Sequence, residues 1–205
     1  MNTNNQKSKK QLDQLKPKII FWLKNNVTQK RFNHISRVAK VAKKYAKKLK
    51  LDPSKAELSA WLHDCAKEMT NNQLLRFAKT KRIKMDEVDF INPHVLHARV
   101  GAVIAKEKFG IKDPDVLGGI RCHTLAEPKM SKLVMLLYLA DSTEPGRESR
   151  FAEPVRKTFK KFGLEEAVLH AIDVKLKEVI EKEKVIHPFT IQARNWLIEK
   201  IRLKK

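Results

Sequence analysis

His63 and Asp64 sit inside the apolar run 60–67, and Asp141 closes a second apolar run that begins at Leu133. Ionisable side chains in such surroundings are costly unless they are paired or bound to a cation. With His34 upstream they make a set of two imidazoles and two carboxylates: His34, His63, Asp64 and Asp141. Nitrogen and oxygen donors without thiolates suit Fe, Mn, Co or Zn in a site that keeps open positions. Water held at an open position becomes a nucleophile near neutral pH, and the same ion polarises a phosphoryl oxygen. The chemistry expected is metal-assisted phosphate hydrolysis around one firmly held ion.

Other residues extend that set. His97 and His123 are candidates for a second ion or for stabilising charge that develops on phosphate. Phosphoryl transfer also needs cations. Lys67 follows His63 by four residues, which in a continuous helix is the same face. Arg147 follows the Pro145-Gly146 turn and could point back toward Asp141, and Arg121 precedes His123. Taken singly, each residue has an ordinary reading. His63-Asp64 could be a hydrogen-bonded core pair, Asp141 a partner of a structural Arg, and any one basic residue a solvated charge. Asp141 does sit at a helix C-terminus, where the macrodipole disfavours a carboxylate without a compensating cation.

The elements that position these residues read as helices throughout. Only 6 Gly and 8 Pro interrupt a chain rich in Lys, Leu and Ala, and no convincing period-2 strand appears. Helices are expected over about 11–25, 31–49, 56–67, 70–80, 93–109, 114–123, 130–142, 149–161, 164–183 and 188–203. That is an all-α bundle of roughly eight to ten helices. Residues 1–10 read as a mobile polar tail and 11–205 as a single domain, with 83–92 unassigned. A short turn near position 51 makes the second and third helices antiparallel neighbours. At 1.5 Å per residue, His34 and His63 then lie within about 7 Å of each other along the axis, close enough to share an ion.

No apolar stretch reaches the length needed to cross a bilayer, and no membrane partner is expected. Cys65 and Cys122 point to a reduced, cytoplasmic setting more simply than to a disulfide. The net charge of +21 would suit a nucleic acid, a membrane surface or a polyanionic small molecule. It is mostly Lys and spread along nearly every helix, and aromatics are only 7%, which disfavours a nucleic-acid recognition surface.

Several blocks together resemble a known family. They are residues 31–39 around His34, Leu62-His63-Asp64-Cys65-Ala66-Lys67, residues 96–102 around His97, and Ile120-Arg121-Cys122-His123-Thr124. Residues 138–147, from Tyr138 to Arg147, and 186–195 complete the series. In this order the chain resembles the HD-domain phosphohydrolases, specifically the bacterial YqeK-type group that splits diadenosine tetraphosphate symmetrically. The resemblance implies an HD-domain helical bundle that binds iron or a similar ion through His34, His63, Asp64 and Asp141. It implies catalytic roles for Asp64, Lys67, His97 and His123. It also implies nucleotide contacts from His34, Lys67, His97, His123, Thr124, Asp141, Arg147, Ile186, His187, Pro188, Phe189, Thr190 and Ile191. The implied reaction releases two ADP through a metal-activated water, and a homodimer is compatible. Arg99 stands where the family often has proline, and Leu125-Ala126-Glu127 replaces a Gly-containing turn.

Two alternatives follow from the same residues. One is an HD phosphatase or phosphodiesterase acting on another nucleotide. The other is a non-catalytic nucleic-acid-binding module whose binding would survive loss of Asp64.

Overall fold

A computed structural model describes residues 3–203, and all regular structure in it is helical. The helices are α1 (Thr3–Asn26), α2 (Gln29–Lys48), α3 (Pro53–Leu62), α4 (Asn71–Thr80), α5 (Glu87–Ile91) and α6 (His97–Phe109). They continue as α7 (Pro114–Cys122), α8 (Lys132–Thr143), α9 (Ser149–Phe162), α10 (Leu164–Glu181) and α11 (Pro188–Arg202). A 3-10 turn at Pro93–Leu96 leads into α6.

Local chemistry sets most starts. Thr28 accepts from the Arg31 amide, and Asp52 and Asp113 each cap a helix that begins with proline. Thr70 and Gln73 form a reciprocal capping box at α4. Asp86 and Asp89 form another at α5, which is the helix missing from the unassigned stretch 83–92. This raises the number of α-helices among the described residues to eleven, above the eight to ten expected. Helix α1 also starts earlier than expected, at Thr3, so most of the polar segment 1–10 continues it.

The core is built around α8, whose residues Leu133 to Ala140 are all buried. It packs against α2, α3, α7, α9 and α10. Helix α7 approaches closely because Gly119 has no side chain. A Cβ there would lie 2.4 Å from Ser59 Oγ of α3 and 3.0 Å from Leu137 of α8. Ser59 is fully buried and donates to the Val116 carbonyl, so it has little freedom to retreat. Gly119→Ala is expected to destabilise the fold by about 1–3 kcal/mol, the usual cost of overpacking. Thermal melts would check this, and a Ser59→Gly background should recover much of the loss.

The expected helix over 56–67 ends at Leu62. Residues 63–69 continue as tight turns, with Cys65 N donating to Leu62 O, Lys67 N to Asp64 O and Met69 N to Ala66 O. Consecutive residues in a helix point about 100° apart. Leaving the helix at His63 lets both His63 and Asp64 face one centre. Lys67 therefore does not reach that centre along a helix face as its spacing suggested; the turns carry it there.

Candidate active site

Five helices bring their ends or inner faces together around Asp64. His34 comes from α2, His63 and Asp64 from the exit of α3, and His97 from the first residue of α6. His123 follows α7, and Asp141 lies in the last turn of α8. All four histidines and Asp64 are buried.

On one side of Asp64, its Oδ2 lies 3.6 Å from His34 Nε2 and 3.5 Å from His63 Nε2. Asp141 Oδ1 closes that set, 3.0 Å from His34 Nε2 and 3.8 Å from His63 Nε2. On the other side, Asp64 Oδ1 lies 3.4 Å from His97 Nε2 and 3.2 Å from His123 Nε2. One carboxylate thus bridges two histidine pairs.

The tautomers are set by what the outer ring nitrogens meet. His34 Nδ1 faces Glu144 Oε1 at 3.0 Å. His63, His97 and His123 turn Nδ1 to the carbonyls of Ala60, His94 and Ile120 at 2.7, 2.5 and 2.8 Å. These oxygens only accept, so each Nδ1 carries a proton, and a ring without a second proton points a bare Nε2 inward. Burial pushes the His63 imidazole down to about 4 and the His97 imidazole down to about 3, which keeps both neutral at physiological pH.

The inward lone pairs then face each other. His34 and His63 have their Nε2 atoms 3.3 Å apart, and those of His97 and His123 are 3.1 Å apart. Without a proton between them such contacts repel. Ligand atoms that share an ion through bonds of about 2.0–2.1 Å sit roughly 2.9–3.4 Å apart, which is the spacing seen. The donor set therefore fits a divalent cation.

The two pairs differ in their other neighbours. Lys67 Nζ is 3.2 Å from His97 Nε2, and the Thr124 hydroxyl is 3.0 Å from both His97 and His123 Nε2. An ammonium and a hydroxyl address that pair beside Asp64 Oδ1, whereas His34 and His63 face the carboxylates of both Asp64 and Asp141. His34, His63 and Asp141 could together hold an ion, as could His63, Asp64 and His123. The His97–His123 side suits either phosphate oxygens or a second ion.

Arg147 reaches back as its position after the Pro145-Gly146 turn suggested. Its Nη2 lies 2.5 Å from Asp141 Oδ1, and its Nε donates to the Asp141 carbonyl at 2.8 Å. Burial alone would raise the Asp141 carboxyl. The Arg147 guanidinium, the contact with His34 and the nearby His63 and His123 together outweigh it and hold the group well below the usual carboxylate range. Arg121 instead pairs with Glu127 at 3.0 Å, away from the cluster.

The stretch 186–191 is not brought to the cluster. His187 is buried against α5, with Nε2 3.3 Å from Asp86 Oδ2 and 3.5 Å from Asp89 Oδ1. These three could in principle hold an ion. However, His187 Nδ1 accepts from the Phe189 amide, so Nε2 carries the proton, and Arg99 already neutralises Asp89. The group is a structural clamp on the start of α11. Thr190 is the link to the site: its hydroxyl donates to the Leu125 carbonyl at 2.8 Å, one residue from Thr124.

Two shell residues escaped the sequence reading. Arg31 Nη1 contacts Asp64 Oδ2 at 2.7 Å, and its signal was the i, i+3 spacing to His34. Glu144, buried three residues after Asp141, holds His34 from behind. A cavity of about 390 Å³ is lined by Asp64, His123, Asp141 and Arg147. Phe151, Val155, Ala171, Val174, Lys175 and Glu178, from α9 and α10, also line it, and none of them stood out in the sequence.

Comparison with known proteins gives a consistent picture. The HD domain family matches residues 31–146. A symmetrical bis(5'-nucleosyl)-tetraphosphatase from Halalkalibacterium halodurans is 34% identical over 88% of this chain and 96% of its own length. A probable nicotinate-nucleotide adenylyltransferase/Ap4A hydrolase from Mycoplasma genitalium is 41% identical over 63% of this chain, which corresponds to 36% of that larger protein. Among solved structures, a predicted HD superfamily hydrolase involved in NAD metabolism from Clostridium acetobutylicum superposes with a TM-score of 0.86. It is 35% identical, and the match covers 90% of this chain and 97% of that one.

Proposed function

The chain belongs to the HD-domain family, and from that premise we propose that it is a metal-dependent symmetrical bis(5'-nucleosyl)-tetraphosphatase. It hydrolyses diadenosine tetraphosphate to two ADP. The observation that carries the reading is the inward-facing set of Nε2 atoms bridged by Asp64, beside a cavity lined by Lys67 and Arg147.

A divalent cation held by His34, His63, Asp64 and Asp141 supplies a Lewis acid and an activated water when bound. Iron is our choice, with Mn, Co or Zn able to serve the same donors. One water is added across the central P–O–P bridge: its oxygen joins one inner phosphorus, and a proton ends on the oxygen that leaves with the second ADP. His123 Nε2, 3.2 Å from Asp64 Oδ1, is placed to carry that proton. Lys67, packed against His97, and Arg147 neutralise charge on the phosphates, and the Thr124 hydroxyl donates to a phosphate oxygen. The stretch Ile186, His187, Pro188, Phe189, Thr190 and Ile191 backs one nucleoside, tied to the site through Thr190 and Leu125. A reducing cytoplasmic setting fits the two buried free thiols, Cys65 and Cys122.

The test is direct. Protein purified without a chelating column and supplied with Fe(II) or Mn(II) should convert diadenosine tetraphosphate to ADP as the sole nucleotide product. Formation of AMP plus ATP, or no turnover, would overturn the assignment. The Clostridium acetobutylicum structure is described by NAD metabolism, so a panel with NAD and mononucleotides separates action on another nucleotide.

A further inference from the structure

Symmetrical cleavage places an ADP arm on each side of the reacting phosphates, and the cavity beside Asp64, His123 and Asp141 is also lined by residues of α9 and α10. We propose that the groove between α9 and α10 is a nucleoside subsite for one arm of the substrate, with the Phe151 ring stacking on the base. The inference rests on the tetraphosphatase reading and specifies where half of the substrate lies.

The lining combines two kinds of surface. Lys67, Arg147, Thr124 and Lys175 are cationic or polar, whereas Phe151, Val155, Ala171 and Val174 are apolar. Phosphates need the first kind and a flat aromatic base needs the second. Phe151 already carries the Arg150 guanidinium 4.4 Å from its ring centroid, an arrangement that adds cation–π character to a stacked base.

Glu178 also lines the cavity and is paired with Lys175 at 3.1 Å and Lys182 at 2.6 Å. Its carboxylate can accept hydrogen bonds from ribose hydroxyls or an exocyclic amine. The cavity of about 390 Å³ lies within the roughly 300–1,000 Å³ common for small-molecule pockets.

The test compares two substrates in the metal-loaded protein: diadenosine tetraphosphate, and adenosine 5'-tetraphosphate, whose single nucleoside can occupy the other subsite. Phe151→Ala should lower kcat/KM for diadenosine tetraphosphate about tenfold, mainly through KM, the size of one lost base-stacking contact. The effect on adenosine 5'-tetraphosphate should stay within about twofold, because the rest of the site is untouched. Phe151→Trp should restore the dinucleotide preference. Val174→Asp, which puts a carboxylate on the apolar wall, should repeat the Phe151→Ala pattern. Equal losses on both substrates, or none on either, would overturn the subsite. Failure of the tetraphosphatase reading looks different, since the wild type would then release no ADP from either compound. In that event, titration with a methylene-bridged diadenosine tetraphosphate analogue decides: an unchanged Kd in Phe151→Ala overturns the proposal, and about a tenfold weaker Kd supports it.

Discussion

Asp64→Ala is expected to yield a folded, helical protein that binds no stoichiometric metal and whose turnover is lower by at least about 1,000-fold. The size follows from the two-sided position of this carboxylate. Its Oδ2 faces the His34 and His63 nitrogens and also the Arg31 guanidinium, while its Oδ1 faces His97 and His123. Removing it takes a ligand from the metal set and, at the same time, the carboxylate that lies between the two histidine pairs. What remains is four inward lone pairs with less negative charge to attract a cation. Metal analysis, ADP release and circular dichroism read the three parts of this expectation separately. A variant that kept its metal and released ADP within about tenfold of the wild-type rate would show that the bridge is not what drives hydrolysis. Nucleic-acid binding through the +21 surface charge, the alternative in another functional class, would be indifferent to this substitution.

The cluster could be foreseen because its members obey local rules. A helical hairpin with a short turn near position 51 places His34 beside His63, and their rings do meet, with centroids 5.3 Å apart. The Arg147 contact with Asp141 follows from a turn only six residues long. Lys67 reached its expected neighbourhood by another route, because nothing local in residues 60–67 marks the helix end at Leu62. Two adjacent ligands had to aim at one centre, and that requirement is tertiary. Helix α5 was hidden for a related reason. Five residues are too few for a helical period to show, and the structure rests on the Asp86–Asp89 capping box and the pairing of Asp89 with Arg99. The α9–α10 groove was invisible because Phe151 and Val174 read as ordinary apolar positions on amphipathic helices. Only the packing of α10 against α8 and α9 opens a cavity beside them. The residues from 186 to 191 illustrate the opposite case, in which a block recognised by resemblance has its histidine turned into the core against Asp86 and Asp89.

Glu144→Gln is expected to lower metal affinity and turnover by about 10–100-fold while leaving the helical fold in place, as is usual when the partner behind a metal-binding histidine is lost. Both oxygens of Glu144 are committed to donors. Oε1 takes His34 Nδ1 at 3.0 Å and Arg37 Nη2 at 3.2 Å, while Oε2 takes Arg37 Nε at 2.5 Å and the Gly146 amide at 2.6 Å. Burial would raise this carboxyl, but Arg37, the Gly146 amide and His34 together hold it below the usual value, so it is an acceptor at both ends. An amide has one accepting end only. If its oxygen stays with Arg37 and Gly146, its NH2 meets His34 Nδ1–H, and the ring must shift its proton to Nε2, the atom that should face the ion. If the oxygen turns to His34, the NH2 opposes Arg37 Nε and the Gly146 amide, and the turn carrying Arg147 loosens. Gly146 can lie so near because a Cβ there would be 2.4 Å from the Arg37 guanidinium, so this turn and the histidine share one support. Either outcome weakens the site without touching substrate. Excess metal should therefore rescue part of the activity of Glu144→Gln, whereas no metal concentration should rescue Asp64→Ala. Equal metal affinity in Glu144→Gln and wild type would show that His34 keeps its tautomer unaided.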